Sequence, residues 1–340
     1  MNVFHSEGDS LAWWRSDAPY FGREVCASPC PLTELSEYAR SLRDVNDSRS
    51  SWFSSGDMTG LLVPTSCTNR NSSHLTFHKV GFELPASSLY EIGKSEFVCS
   101  PELIFFLMAS KRSFHELVCL GMELCGCYSC RSDDGIVEHD PITTKADILA
   151  FLNEVAGQRF ARKARHAAEH LCDGSRSPRE TDLYMMLCLP SKLGGFGLSG
   201  AELNRTLTVS PRAASQTGME SITPDLSWIK AKVAAEYESS EWHSPSLWDV
   251  SELSRTMHIR NQIAVDSARR RTYEAMGFFV ITVTNDEFNS FDEVTRIATT
   301  ISRHLGKHGL RKDSRLMWRR QELHEWLKVP LGSRGKAPTI

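Results

Sequence analysis

The sequence predicts an α/β (α+β) protein: a small mixed sheet flanked by helices, preceded by a mixed strand and helix domain. Three observations carry this. Short β-rich runs broken by Gly, Asn, Ser and Pro occupy residues 56–100. A strongly helical stretch follows over 143–172. Beyond 173 the pattern runs helix, strands, helix, strand, helix. A length of 340 residues allows two or three domains. We divide them as 1–172, a mixed strand and helix α+β domain ending in a basic helix; 173–310; and a basic C-terminal tail or helix over 311–340. A composition of 41% hydrophobic and 24% charged residues is that of a globular chain and excludes disorder as the dominant state.

Residues 1–55 have weak periodicity, but Trp13, Trp14, Tyr20 and Phe21 argue that part of them is packed, and 32–42 reads as a short helix. Strands are expected at 60–63, 74–78, 88–92 and 97–99. Pro101 stands at the first position of a helix, and a second helix spans 113–125. The segment 143–172 reads as two helices broken near Gly157, the second carrying Arg159, Arg162, Lys163 and Arg165. In the second half, helices are expected at 178–189, 260–276 and 292–305. Strands are expected at 207–209, 225–228, 233–238 and 278–283, with a loop at 193–198.

No apolar run approaches the roughly 18–20 residues of a membrane span; the longest, Leu103 to Ala109, is seven. The first residues lack the basic and apolar pattern of a secretory signal, so a cytoplasmic location is expected. Ten cysteines diluted over this length read as reduced thiols. Cys119, Cys125, Cys127 and Cys130 cluster, and read either as core residues of an apolar helix or as a zinc site. The net charge is −3, unevenly spread. Residues 303–340 hold ten Lys or Arg against three Asp or Glu, leaving 29 basic against 39 acidic residues elsewhere. That asymmetry fits either a polyanionic partner or a solvated terminal helix.

The chemistry-bearing residues lie in the second half. If a hairpin is centred between Lys230 and Ala231, Asp225 and Glu236 face each other on neighbouring strands. Opposed side chains sit at about 4.5–5.5 Å between Cβ atoms, and like charges there are destabilising unless something binds them. A divalent metal does so, since Mg²⁺ takes carboxylate oxygens; two exposed carboxylates on a sheet edge are the alternative. Glu180 fits a capping box with Ser177, and could equally point into a shared acidic site. Gln262, Asp266, Arg269 and Arg270 share one helical stripe, with Ala264, Ala268 and Tyr273 on a separate apolar side. His243 lies just before that helix.

The order of these pieces is informative. Ser177-Pro-Arg-Glu on a helix is followed by Pro224-Asp-Leu-Ser-Trp, Ala235-Glu-Tyr-Glu-Ser-Ser-Glu-Trp-His, Gln262-Ile-Ala-Val-Asp-Ser-Ala-Arg-Arg and Tyr273-Glu-Ala-Met-Gly-Phe-Phe-Val-Ile-Thr-Val-Thr. Over about 173–306 this resembles the endonuclease-like domain related to very-short-patch repair endonucleases, within the PD-(D/E)XK restriction-endonuclease-like superfamily. The resemblance implies a restriction-endonuclease-like fold, with Asp225 and Glu236 as metal carboxylates and Glu180 as the acidic residue of the first helix. It places His243, Gln262 and Asp266 at downstream polar positions. Glu238 stands where the superfamily pattern has lysine, and an acidic residue cannot supply that positive charge. The first half, through its strands, Ser100-Pro-Glu-Leu-Ile-Phe-Phe-Leu-Met-Ala and Glu116-Leu-Val-Cys-Leu-Gly-Met-Glu-Leu-Cys-Gly, resembles the regulator-like region of abortive-infection antitoxin proteins.

The expected function is therefore a metal-dependent nucleic-acid phosphodiesterase, DNA endonuclease-like, in phage defence or DNA repair. Asp225, Glu236 and Glu180 are the expected ligands of Mg²⁺ (or Mn²⁺). Asp225, Glu236, Glu238, Glu180 and His243 form the expected catalytic set, and Gln262, Asp266, Arg269 and Arg270 the nucleic-acid contacts. DNA is the first expected partner, no membrane is involved, and a homodimer stays open. The alternative is a non-catalytic nucleic-acid-binding or antitoxin-like regulator on a degenerate nuclease fold.

Overall fold

The computed structural model describes residues 3–16, 20–21, 24–25, 28–30, 35, 59–72, 74–93, 95–131, 135–238, 252–307, 309–310, 313–331 and 334–338, with the side chains of 20–30 and 252–263 outside that description. The helix expected over 32–42 falls outside it, except for Leu35. The chain divides into two compact units, Met1–Asp173 and Gly174–Ile340.

The first unit begins β1 (Val3–Phe4), α1 (Glu7–Arg15), β2 (Tyr20–Phe21), β3 (Glu24–Val25) and β4 (Ser28–Cys30). It continues β5 (Thr59–Pro64), β6 (Leu75–Val80), β7 (Leu89–Gly93), β8 (Glu96–Cys99), α2 (Pro101–Met108) and α3 (Phe114–Leu124). It closes with β9 (Tyr128–Arg131), β10 (Gly135–Glu138), α4 (Lys145–Glu154) and α5 (Ala161–Ala168). The main sheet has the order β1-β8-β7-β4, and β5 pairs with β6 in parallel. Ser100 starts α2 by accepting a hydrogen bond from the Leu103 amide, with Pro101 in the first turn. Ser113 and Glu116 close a reciprocal capping box on α3. Cys119 and Cys125 are buried along α3 and at its end. The helix α1, which the weak periodicity of 1–55 conceals, buries Trp13 and Trp14, and the Trp14 indole donates to the Cys99 carbonyl at 2.9 Å.

The second unit runs α6 (Pro178–Cys188), β11 (Glu202–Leu203), β12 (Leu207–Thr208), α7 (Pro211–Thr217), β13 (Ser221–Ile222), β14 (Leu226–Trp228) and β15 (Val233–Glu238). Then come α8 (Glu252–Met276), β16 (Phe279–Thr284), α9 (Asn285–Asn289), α10 (Phe291–His304) and α11 (Ser314–Leu327). Its sheet has the order β11-β14-β15-β16. Only β15 and β16 are parallel within it, as a strand–helix–strand crossover through α8 requires. The chain is thus α+β, and no helix among the described residues is long and apolar enough to cross a membrane.

Three local devices hold this sheet. The Trp228 indole, buried at the end of β14, donates to the Leu198 carbonyl at 2.8 Å. The β14–β15 connection has no glycine; a single 3₁₀ turn over Ile229–Ala231 ends on Lys232 in the left-handed region at φ 53°. That conformation costs a lysine about 1–2 kcal/mol. The Lys232 ammonium answers it by donating to the Met276 carbonyl at the end of α8, 2.9 Å away. In the loop after α6, a Cβ on Gly195 would stand 2.1 Å from the Leu189 carbonyl oxygen, so only glycine fits.

The expectation of a separate basic tail from 311 is corrected by α11, which buries Leu323, Trp326 and Leu327 in the second unit. Arg319 and Arg320 of this helix, and Arg334 beyond it, are bound internally, while Arg315 is exposed. Arg320 is buried, donates to the Gly195 carbonyl and to Ser191, and stacks over Phe196. Arg319 donates to the Lys192 carbonyl at 2.7 Å. Arg334 donates to Asp182 at 2.5 Å and to the Val329 and Leu327 carbonyls. Burial pushes the Asp182 carboxyl up to about 6, while Arg334 and Arg179 pull it down. Removing Arg334 therefore leaves a buried carboxylate with only the longer, 3.5 Å contact to Arg179. Arg334→Ala should destabilise the second unit by about 3–5 kcal/mol in denaturant unfolding near neutral pH. Asp182 binds its proton more tightly folded than unfolded, so the loss should shrink towards about pH 5, where protonation removes the charge. Equal losses at about pH 5 and about pH 8 would contradict this pairing.

Candidate metal and phosphate site

The ladder between β14 and β15 pairs Leu226 with Ala235, Ser227 with Ala234 and Trp228 with Val233. One step further along the same register sets Asp225, the residue before β14, opposite Glu236. Side chains two apart on a strand share a face. Ala234 packs with Tyr273 of α8 and with Val209, Ala213 and Ile222, so Glu236 and Glu238 point to that same, α8-covered side. Tyr237 faces the other way, its ring against Phe288 and its hydroxyl donating to Asn285 at 2.9 Å.

Helix α8 supplies the countercharge. Arg269 Nη2 lies 2.6 Å from Glu236 Oε1 and also donates to the Thr223 carbonyl at 3.2 Å. One turn further along, the Tyr273 hydroxyl donates to the same Glu236 oxygen. Burial works against charge on Arg269, and Glu236 more than offsets this, holding the guanidinium above its ordinary value. Burial and Glu236 likewise push the Tyr273 hydroxyl well up.

Asp225 Oδ2 accepts from the Tyr237 amide at 2.7 Å. Burial, then the charges of Glu236 and Glu180, push the Asp225 carboxyl up from 3.8 to about 7; the Tyr237 amide and Arg269 pull against them. Glu180 is thus close enough to act on Asp225 by charge, but both its oxygens are engaged. Oε1 accepts from the Ser177 hydroxyl at 3.1 Å, and Oε2 from the Arg176 amide at 2.9 Å and from Asn204 Nδ2. The Ser177 hydroxyl in turn accepts from the Glu180 amide, capping α6. Burial raises the Glu180 carboxyl and these hydrogen bonds lower it. Ser177 caps the helix, but Glu180 bonds the Arg176 amide rather than the Ser177 amide of the expected capping box, and its charge acts on Asp225.

The remaining sequence-predicted residues scatter. Glu238 is exposed at the end of β15, beside Thr284 of β16. Arg270 turns to solvent with Glu274 at 3.5 Å, and Asp266 is exposed. The single polar stripe expected on α8 is therefore divided: Arg269 turns in while Arg270 turns out. Tyr273 packs in the apolar cluster as expected and its hydroxyl also bonds the carboxylate, while Ala264 is exposed. His243 and the side chain of Gln262 lie outside the described residues. Two participants were missed by sequence reasoning. Tyr273 carries a legible signal, four residues after Arg269 on one helix face. Asn204 carries a weaker one: it sits at φ 48°, a conformation asparagine tolerates, with its amide donating to the Asp225 carbonyl at 3.0 Å.

Among the described residues no three His, Cys, Asp or Glu side chains form a group able to hold a metal ion. Two opposed carboxylates do meet, each with one oxygen, Asp225 Oδ1 and Glu236 Oε2, outside the hydrogen bonds described above. This donor set fits Mg²⁺ or Mn²⁺, which bind through one or two carboxylates and complete their shell with water and phosphate oxygens. Comparison of the chain with protein-family models, with curated proteins and with solved structures finds no match.

Because the folded chain holds the Asp225 proton more tightly than the unfolded chain, this group's stabilisation is full below about pH 4 and is lost as pH rises through about 7. Asp225→Asn keeps an acceptor for the Tyr237 amide and cannot ionise. Its melting temperature minus that of the wild type should grow by about 4 °C or more between about pH 5 and about pH 8. A difference constant across that range would show that Asp225 titrates normally.

Proposed function

We propose that the second unit is a metal-dependent phosphodiesterase acting on nucleic acid, DNA first. The observation that carries the proposal is the half-buried, opposed pair Asp225 and Glu236 beside the guanidinium of Arg269. The endonuclease-like order of motifs supports the same reading. Asp225 and Glu236 would hold Mg²⁺ or Mn²⁺, which when bound polarises the scissile phosphate and lowers the pKa of a coordinated water.

The chain's own residues do the rest. Tyr273 holds one oxygen of Glu236, leaving the other to face Asp225. The Tyr237 amide fixes Asp225 in the same way. Glu180, immobilised by Asn204, Ser177 and the Arg176 amide, adds negative potential that favours a divalent cation without contributing an oxygen. Arg269 supplies the positive charge that Glu238 cannot, and its planar fork matches phosphate oxygens.

One observation favours a second reading. The Arg269–Glu236 ion pair neutralises Glu236 without any metal, as a non-catalytic nucleic-acid-binding or antitoxin-like regulator on a degenerate nuclease fold would need.

Calorimetric titration separates the two. The wild type should bind Mn²⁺ or Mg²⁺ with proton release, since Asp225 must ionise to ligate. Asp225→Ala should not bind. Cleavage of single- or double-stranded DNA or RNA should require the metal and fall at least about 100-fold in Asp225→Ala and in Glu236→Ala. Glu238→Lys should preserve or raise it. A wild type inactive with both metals on all four substrates removes the phosphodiesterase and favours the regulator reading.

A further inference from the structure

Helix α5 of the first unit has an inner face of alanines and an outer face of cations. Ala161, Ala164, Ala167 and Ala168 are buried. Arg162 is exposed, Lys163 and Arg165 are half-buried, and Arg159 precedes the helix, exposed, with its guanidinium 4.7 Å from the Phe160 ring centroid. The Lys163 ammonium donates to the Arg112 carbonyl, which brings exposed Arg112 to the same patch. Arg165 donates to the Asn153 side-chain oxygen. Among the described residues none of these five cations has a carboxylate within ion-pair distance, although Glu154 and Glu169 flank the helix in sequence.

Helix stability does not account for them. The first turn has no acidic residue, and Phe160, at φ 70°, provides no side-chain cap. Cations at a helix start oppose the helix dipole, so Arg162 and Lys163 sit where they are electrostatically disfavoured. Arg165 alone lies in the last turn, where a cation is favourable. Five unpaired cations on one face, in a chain of net charge −3, form a local field that a polyanion would neutralise.

We propose that the outer face of α5, with Arg112, docks the phosphate backbone of duplex nucleic acid. The class of partner rests on the phosphodiesterase reading of the second unit; the surface is independent of it. The mixture of bidentate arginines and a lysine suits phosphate oxygens, and the absence of exposed aromatics between the cations, Phe160 excepted, favours backbone contacts over stacking on unpaired bases.

The test is duplex DNA binding by the full chain without added metal, followed by fluorescence anisotropy as salt is raised. If each of the five cations neutralises a phosphate, the log–log salt slope should be about −4.5, from about −0.9 per contact. The triple variant Arg162→Gln, Lys163→Gln, Arg165→Gln should flatten the slope by about 2–3 and weaken low-salt binding at least about tenfold. The charge-keeping variant Arg162→Lys, Arg165→Lys should retain the wild-type slope, which separates lost charge from lost structure. No wild-type binding at low salt, or an unchanged slope in the triple variant, overturns the surface. Mn²⁺-dependent cleavage measured on the same preparations keeps the two readings apart. Cleavage with an unchanged slope removes only the surface. A flattened slope with no cleavage by the wild type supports the surface and removes only the phosphodiesterase.

Discussion

Two carboxylates set opposite each other across adjacent strands and largely withdrawn from water are the constraint on which the second unit depends. Asp225 and Glu236 cannot both stay ionised there unaided. The fold answers in two ways. Asp225 keeps a proton up to about neutral pH, and Glu236 takes a guanidinium and a phenol from α8. Both answers explain the architecture. The parallel return from β15 to β16 needs a long crossover, and that crossover carries Arg269 and Tyr273 over the same face as Glu236. The register that opposes the two acids is held by Trp228 and by a lysine in a strained left-handed turn.

The distribution of positive charge follows a different logic from the one the composition implies. The excess of Lys and Arg lies in the last 38 residues, yet Lys307, Arg319, Arg320, Lys328 and Arg334 each bind a carbonyl, a hydroxyl or a carboxylate of their own unit. These side chains act as internal ties, and Arg320 and Arg334 are nearly sealed from solvent. Among the described residues, α5 of the first unit and the neighbouring Arg112 add five cations with no carboxylate within ion-pair distance.

How much was legible in the sequence varies with the kind of signal. Capped, periodic helices such as α2, α3, α6 and α10 announce themselves through Ser or Pro starts and apolar spacing. The opposition of Asp225 and Glu236 follows from the centre of one hairpin, because a two-residue period leaves no freedom once the register is set. Strands of two residues, such as β11 and β13, carry no periodicity, so the role of Asn204 could not be read. The inward turn of Arg269 and the outward turn of Arg270 depend on how α8 rotates over the sheet, which a stripe of polar residues does not specify. Whether a C-terminal arginine meets solvent or a buried carbonyl depends on the return of α11 onto the loop of Gly195, a contact across more than a hundred residues.

The central claim is that the Asp225–Glu236 pair is a cation site held in readiness by Arg269. Anomalous diffraction from crystals soaked in Mn²⁺ tests it most directly. The account predicts one peak between the two carboxylates, bound through Asp225 Oδ1 and Glu236 Oε2, with Glu180 still bonded to Asn204 and outside the coordination shell. An unoccupied pair with the Arg269–Glu236 contact intact at saturating Mn²⁺ would contradict it.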